Sequence, residues 1–144
     1  MIVQITLTVH EAKWIIAKGI AALTEVQKAL DSGRIFLKGG TTVSAVCQEL
    51  SGNPLRISGR ITPLGTRTAH TTDDGYHSAL IHKGTFIGVD DCLPETIESF
   101  RDGDVAIIGA NAFDGYGNAA LMYGAPLGGL PGHIISGMMA EIKT

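Results

Sequence analysis

At 144 residues the chain suits one domain with a substantial core. Apolar residues make up 44% of it and charged ones 17%, the balance of a soluble globular protein leaning apolar. Asp and Glu outnumber Lys and Arg 14 to 11, a formal charge of −3, and nothing suggests the basic patch or stripe of a nucleic-acid surface.

The first residues, Ile2 to Val9, alternate apolar and polar, the pattern of a strand with one covered face. His10 to Leu23 reads as a helix with Trp14, Ile15, Ala21 and Ala22 on its apolar side. Thr24 with Gln27 three residues on has the form of a capping box for a second helix, which Gly33 ends after Ser32. Arg34 to Lys38 is a buried strand around Ile35-Phe36-Leu37. It runs into Gly39-Gly40-Thr41-Thr42 and a helix over Val43 to Leu50, stopped by Gly52-Asn53-Pro54. Leu55 to Thr62 is a further strand closed by Pro63, and a long loop follows through Gly75. Tyr76 to His82 and Thr85 to Val89 flank Lys83-Gly84 as a hairpin, and Asp90 to Arg101 forms a helix with Pro94 near its start.

The next stretch, Gly103 to Asn118, combines a buried strand with a glycine-rich polar turn. Val105 to Ile108 is apolar without alternation, the mark of a central strand covered on both faces in a parallel sheet. It then turns abruptly into Gly109, Asn111, Asp114, Gly115, Gly117 and Asn118. In an open α/β sheet the carboxyl ends of the strands are where small ligands bind. Ala119 to Tyr123 reads as a strand, and Gly124 to Gly132 leads into a last helix over His133 to Ile142.

A hydrophobic strand followed by Gly109-Ala110-Asn111-Ala112-Phe113-Asp114 and Gly115-Tyr116-Gly117-Asn118 resembles a signature of the superfamily of ribose-phosphate isomerases, glucosamine-phosphate deaminases and CoA transferases. The turns at Gly39 to Thr42 and Gly124 to Gly132 are similar to that superfamily's glycine-rich turns. Asn111 stands where its enzymes often carry a carboxylate. The resemblance implies a single α/β domain over 1–144, with a mostly parallel sheet, helices on both faces and an added antiparallel hairpin. Such a domain would be a minimal or truncated member, or one that completes its sheet in a homo-oligomer.

Several positions can carry chemistry. Gly39, Gly40, Thr41 and Thr42 open a helix after a buried strand, where free N–H groups and the helix dipole favour an anion and Lys38 adds charge; Thr41 as a plain cap is the alternative. Gly128 and Gly129 lie in a second candidate anion turn, followed by His133, but no Walker-type Lys-Ser/Thr accompanies them. Asp114 is the candidate acid–base carboxylate, with an Asx-turn role as the alternative. Gly109, Asn111 and Asn118 would line the same lip. His70, His77 and His82 match no compact zinc spacing. Glu25, Glu49, Glu95, Glu98 and Glu141 lie in predicted helices without glycine-rich context, which speaks against acyl-CoA transfer.

The expectation is an enzyme of isomerase or hydrolase type acting on a small phosphorylated or carboxylated metabolite. The alternative is a non-catalytic ligand-sensing or assembly module. No cofactor or metal is expected. Neither is a membrane partner, since no run reaches the roughly 18–20 apolar residues of a membrane helix. Cys47 and Cys92 form no metal or disulfide pattern, and the amino terminus has no basic and apolar leader, so a cytoplasmic location is expected.

Overall fold

A computed structural model describes residues 2–68, 75–122 and 125–140. The chain begins with a segment, 2–8, that has no regular secondary structure and is exposed throughout, not the strand its alternation predicts. A helix α1 (Val9–Ala21) follows. Its capping box is at Thr8 and Glu11: the Thr8 hydroxyl accepts from Glu11 N at 3.3 Å, and Glu11 Oε2 accepts from Thr8 N at 2.7 Å. The predicted box at Thr24 is absent. The second helix α2 (Thr24–Ser32) has Leu23 at its N-cap with no side-chain cap, and Gln27 instead donates to the Ala21 carbonyl at 2.6 Å.

Strand β1 (Arg34–Lys38) leads into helix α3 (Thr41–Ser51), which Gly52 ends in the left-handed conformation at φ 75°. Two hairpins come next, β2 (Gly59–Thr62) with β3 (Gly65–Thr68), then β4 (Ser78–His82) with β5 (Thr85–Gly88). Helix α4 (Leu93–Glu98), strand β6 (Val105–Ile107), a small hairpin of β7 (Ala112–Phe113) and β8 (Ala119–Ala120), and helix α5 (Gly129–Ala140) complete the described chain. Parts of the predicted long loop, the end of the strand predicted through Tyr123, and the end of the last predicted helix lie outside the described residues.

The main sheet has the order β5-β4-β1-β6. β1 pairs antiparallel with β4, β4 pairs antiparallel with β5, and only β1 and β6 run parallel. The mostly parallel sheet expected from sequence is therefore not what forms: the sheet is small, mixed and predominantly antiparallel. The cause lies after α3. Residues 52–55 climb back along the helix, so that Leu55 N donates to Ser44 Oγ at 3.0 Å in its first turn. Having crossed the sheet twice, the chain enters β4 at the end where β1 finished, and the two strands must oppose each other.

The pleat sorts the core into two layers. Ile35 and Leu37 of β1, with Ala79 and Ile81 of β4 and Ile107 of β6, pack against Ala17, Val26, Ala29, Val43, Val46 and Cys47 from α1, α2 and α3. Phe36, on the opposite face, packs with Leu93 and Ile97 of α4, Phe100, and Ile134 of α5. Phe36 meets Phe100 edge to face at 6.4 Å between ring centres. Helices thus cover both faces, and β1 is the buried centre. β6, expected to be central, lies at an edge of the described sheet.

One polar tie joins β1 to the loop before β6. Asp104 accepts from Arg34 N at 2.8 Å, Arg34 Nε at 3.0 Å and Arg101 N at 2.9 Å. The Arg34 guanidinium also stands 4.8 Å from the centre of the Phe100 ring. Burial pushes the Asp104 carboxyl up, but the hydrogen bond from Arg34 and the remaining donors outweigh it and hold it below the usual carboxylate range.

Candidate functional site

One end of the sheet collects a set of polar and charged groups from several separate elements. There β1 and β6 finish, β4 begins and β5 ends, because β1 and β6 are parallel and β4 opposes them. The register sets Lys38 beside Ser78. Gly40 and Gly109 face the same methyl of Val43, so the turns after β1 and β6 converge. Of the residues expected to bind ligand, Gly39, Gly40, Thr41, Thr42 and Gly109 are brought together at this end.

Helix α3 starts at Thr41 on an N-cap of Gly40, with extended φ 174° and ψ 152° and no side-chain cap. Its first amides are therefore uncapped, and the positive end of the helix dipole faces outward. Gly39 has a steric reason to be glycine: a Cβ there would overlap the ring and the carbonyl oxygen of His77.

Around this turn stand Lys38, Arg56, His77 and Asp90. The Asp90 carboxylate receives His77 N at 2.8 Å and Ser78 N at 2.6 Å, and Arg56 lies 3.6 Å from its Oδ2. Burial raises the Asp90 carboxyl, but these two amides, with His77 and Arg56 nearby, bring it below its ordinary value. His77 Nδ1 lies 3.0 Å from the Arg56 carbonyl, which can only accept, so in the neutral ring Nδ1 carries the proton and Nε2 the lone pair. Ser58 Oγ is 3.4 Å from the same nitrogen.

Burial, then the Lys38 charge, push the His77 pKa below its usual value, so the ring is neutral at neutral pH. Burial likewise lowers Lys38, with Asp90 opposing and Arg56 adding to the effect. Among the described residues the Lys38 ammonium has neither a hydrogen bond nor an ion pair.

The other expected site residues lie elsewhere. Asp114 sits in the exposed turn of the β7–β8 hairpin, where its carboxylate accepts Tyr116 N at 2.8 Å, Asn118 N at 3.0 Å and Asn118 Nδ2 at 2.7 Å. The bond from the Asn118 side chain, then the backbone donors, lower its pKa. That is the arrangement of a turn organiser. Asn111 Oδ1 accepts Met122 N at 2.7 Å and so ties the same hairpin. Gly128 closes a short 3₁₀ turn at Pro126–Gly128, and Gly129 with Pro94, Leu127 and His133 borders a separate groove of about 500 Å³.

His82 Nδ1 lies 3.1 Å from the Gly33 carbonyl, and His70 is outside the described residues. No cluster of His, Cys, Asp or Glu suited to a metal ion occurs among the described residues. Cys47 is buried and Cys92 exposed, each a free thiol. No described helix is long and apolar enough to cross a membrane.

Sequence reasoning missed Arg56, Ser58 and Asp90, and weighed His77 only as a metal ligand. A signal for two of them was present. Continuing the β4–β5 register outward from Lys83-Gly84 sets His77 opposite Asp90. Arg56 reaches the site only through the return of the chain along α3, which no local pattern announces.

Comparison with known proteins adds no neighbour: no family model, curated protein or solved structure matches the chain.

Proposed function

We propose that the chain binds a small anionic metabolite, phosphorylated or carboxylated, at the carboxyl end of β1. The observation that carries this reading is the start of α3, which has no side-chain cap, beside the half-buried Lys38, whose ammonium has no hydrogen bond or ion pair among the described residues. Helix amides offer several donors to one anion, and a partly desolvated ammonium attracts it more strongly than a surface lysine would. Arg56 adds a second cation. Asp90, a carboxylate at this end, already accepts two backbone amides and faces Arg56.

The non-catalytic form of this reading, a ligand-sensing module, draws support from Asp114. An acid–base carboxylate needs a pKa near the working pH and a place beside the ligand. Asp114 is shifted the other way and committed to its own turn. Isomerase- or hydrolase-type turnover would need a different base, and His77 Nε2 is the group with a free lone pair at this end.

The test is a thermal-shift panel of inorganic phosphate, sugar phosphates and small carboxylates. A ligand at a hundred times its dissociation constant stabilises the fold by about 2.7 kcal/mol. A stabilising compound whose effect is lost in Lys38→Met and kept in Asp114→Asn fits the proposal. Stabilisation that survives Lys38→Met would place the anion elsewhere. A compound that is also chemically converted by the wild type, followed by NMR, would favour the enzyme over the sensor.

A further inference from the structure

The main sheet has one edge built like an interior. β5, at one side, exposes alternate residues in the manner of an ordinary outer strand. β6, at the other, sends Val105 and Ile107 into one core layer and Ala106 and Ile108 into the other, with no proline, bulge or strand charge guarding its open side. A groove of about 530 Å³ runs along it, walled by Ile134, Ile135 and Met138 of α5 and by Glu25 and Lys28 of α2.

The same chain carries a strand former with nothing to pair with. Residues 2–8 are uncharged and alternate, yet Ile2, Val3, Ile5 and Leu7 are 100, 64, 69 and 42% exposed. Their backbone makes no hydrogen bond to another described residue before the Thr8 cap.

We propose that the two fit each other between copies: the 2–8 arm of one molecule adds as a strand to β6 of a second, and the exchange is reciprocal. Val3, Ile5 and Leu7 share one face of such a strand and would meet the apolar α5 wall. Gln4 and Thr6, on the other face, would meet Glu25 and Lys28. Backbone pairing supplies hydrogen bonds whatever the side chains, and the two-fold arrangement closes because each arm and each groove is used once.

The apolar area is that of a modest interface. Full burial of an aliphatic side chain removes roughly 60–120 Å² of apolar surface from water, and Val3, Ile5 and Leu7 start from 64, 69 and 42% exposure. Two arms and the two grooves they cover therefore bury roughly 400–800 Å² of apolar surface before the paired backbone is counted, the range of a weak, concentration-dependent dimer.

Sedimentation velocity over a concentration series of the full chain tests this. The wild type is expected to dimerise, and Ile5→Asp with Leu7→Asp to weaken the dimer roughly a hundredfold or more. Both positions are exposed in the monomer, so the thermal midpoint of the variant reports whether folding is intact. A second variant, Ile135→Glu, alters the groove and leaves the arm alone. Mixed with the arm variant it should restore association, because one native arm then meets one native groove. A wild type that stays monomeric, a dimer that persists in the arm variant, or a mixture of the two variants that stays monomeric would each overturn the proposal.

Discussion

Lys38 and Gly39 show how much one position at a strand end can determine. Lys38 keeps a charge in a half-buried place, and burial lowers its pKa. Anion binding needs the charged form, so affinity should fall as pH rises through that lowered pKa, earlier than an ordinary lysine would allow. Calorimetric titration at stepped pH with sulfate, whose own charge stays fixed, reads this directly, and Lys38→Met should abolish the step and cost about 10- to 100-fold in affinity. Gly39 contributes by what it lacks. A methyl there meets the His77 carbonyl, which is backbone and cannot rotate away. Gly39→Ala is expected to destabilise the fold by roughly 1–3 kcal/mol in denaturant unfolding and to disturb anion binding as well. The glycine turn and the charge of Lys38 were legible in the local sequence, but the His77 contact was not, since His77 arrives from the start of a strand almost forty residues away in the chain. The candidate carboxylate Asp114 shows the opposite case. Its Asp-Gly turn chemistry was legible, and the carboxylate is fully occupied in executing that turn.

Among the elements, the two buried strands β1 and β6 were legible, whereas 2–9 forms no strand, β3 lies in the predicted loop, and strand directions were not legible. Ile35-Phe36-Leu37 and Val105-Ala106-Ile107 read as strands covered on both faces, and they are, with α1, α2 and α3 on one side and α4 and α5 on the other. That apolar run reports burial alone. A parallel neighbour was inferred from it, whereas β1 has a parallel neighbour on one side and an antiparallel one on the other. Direction was decided by the short climb from Gly52 to Leu55, held by two hydrogen bonds between Ser44 and Leu55. The alternating arm at 2–8 fails for a related reason: periodicity states which face a strand would bury but supplies no partner. Helix packing gives a sharper test. Gly137 sits where α5 crosses α4, and a Cβ there would lie 2.8 Å from Ile97 Cγ2, a fully buried methyl on a stiff β-branched side chain. In an exposed helix Gly→Ala gains about 1 kcal/mol. Here the clash should reverse the sign, and Gly137→Ala is predicted to lower stability by roughly 1–2 kcal/mol in the same unfolding assay.

At the scale of the whole molecule, carboxylates link stability to acid, the partly buried Asp104 and Asp90 among them. Asp104 and Asp90 both have folded pKa values depressed below the unfolded one, so each contributes stability that is complete above the ordinary carboxylate range and lost as pH falls through the lower, folded value. Stability is therefore predicted to decline below about pH 4. Asp104→Asn should flatten part of that decline while costing roughly 2–4 kcal/mol at neutral pH, because Arg34 would keep its half-buried charge without its ion-pair partner. The fold's organisation follows from the same tie: Arg34 and Asp104 join β1 to the entrance of β6 at one end of the sheet, while the opposite end gathers Lys38, His77, Asp90 and the start of α3. The most direct test of the anion site is a ¹H–¹⁵N NMR titration of the full chain with inorganic phosphate. The account predicts saturable shifts that are largest at the backbone amides of Thr41, Thr42 and Val43 and absent in Lys38→Met. Largest shifts at the β7–β8 hairpin or at the start of α5, or no saturable shift at any amide, would contradict it.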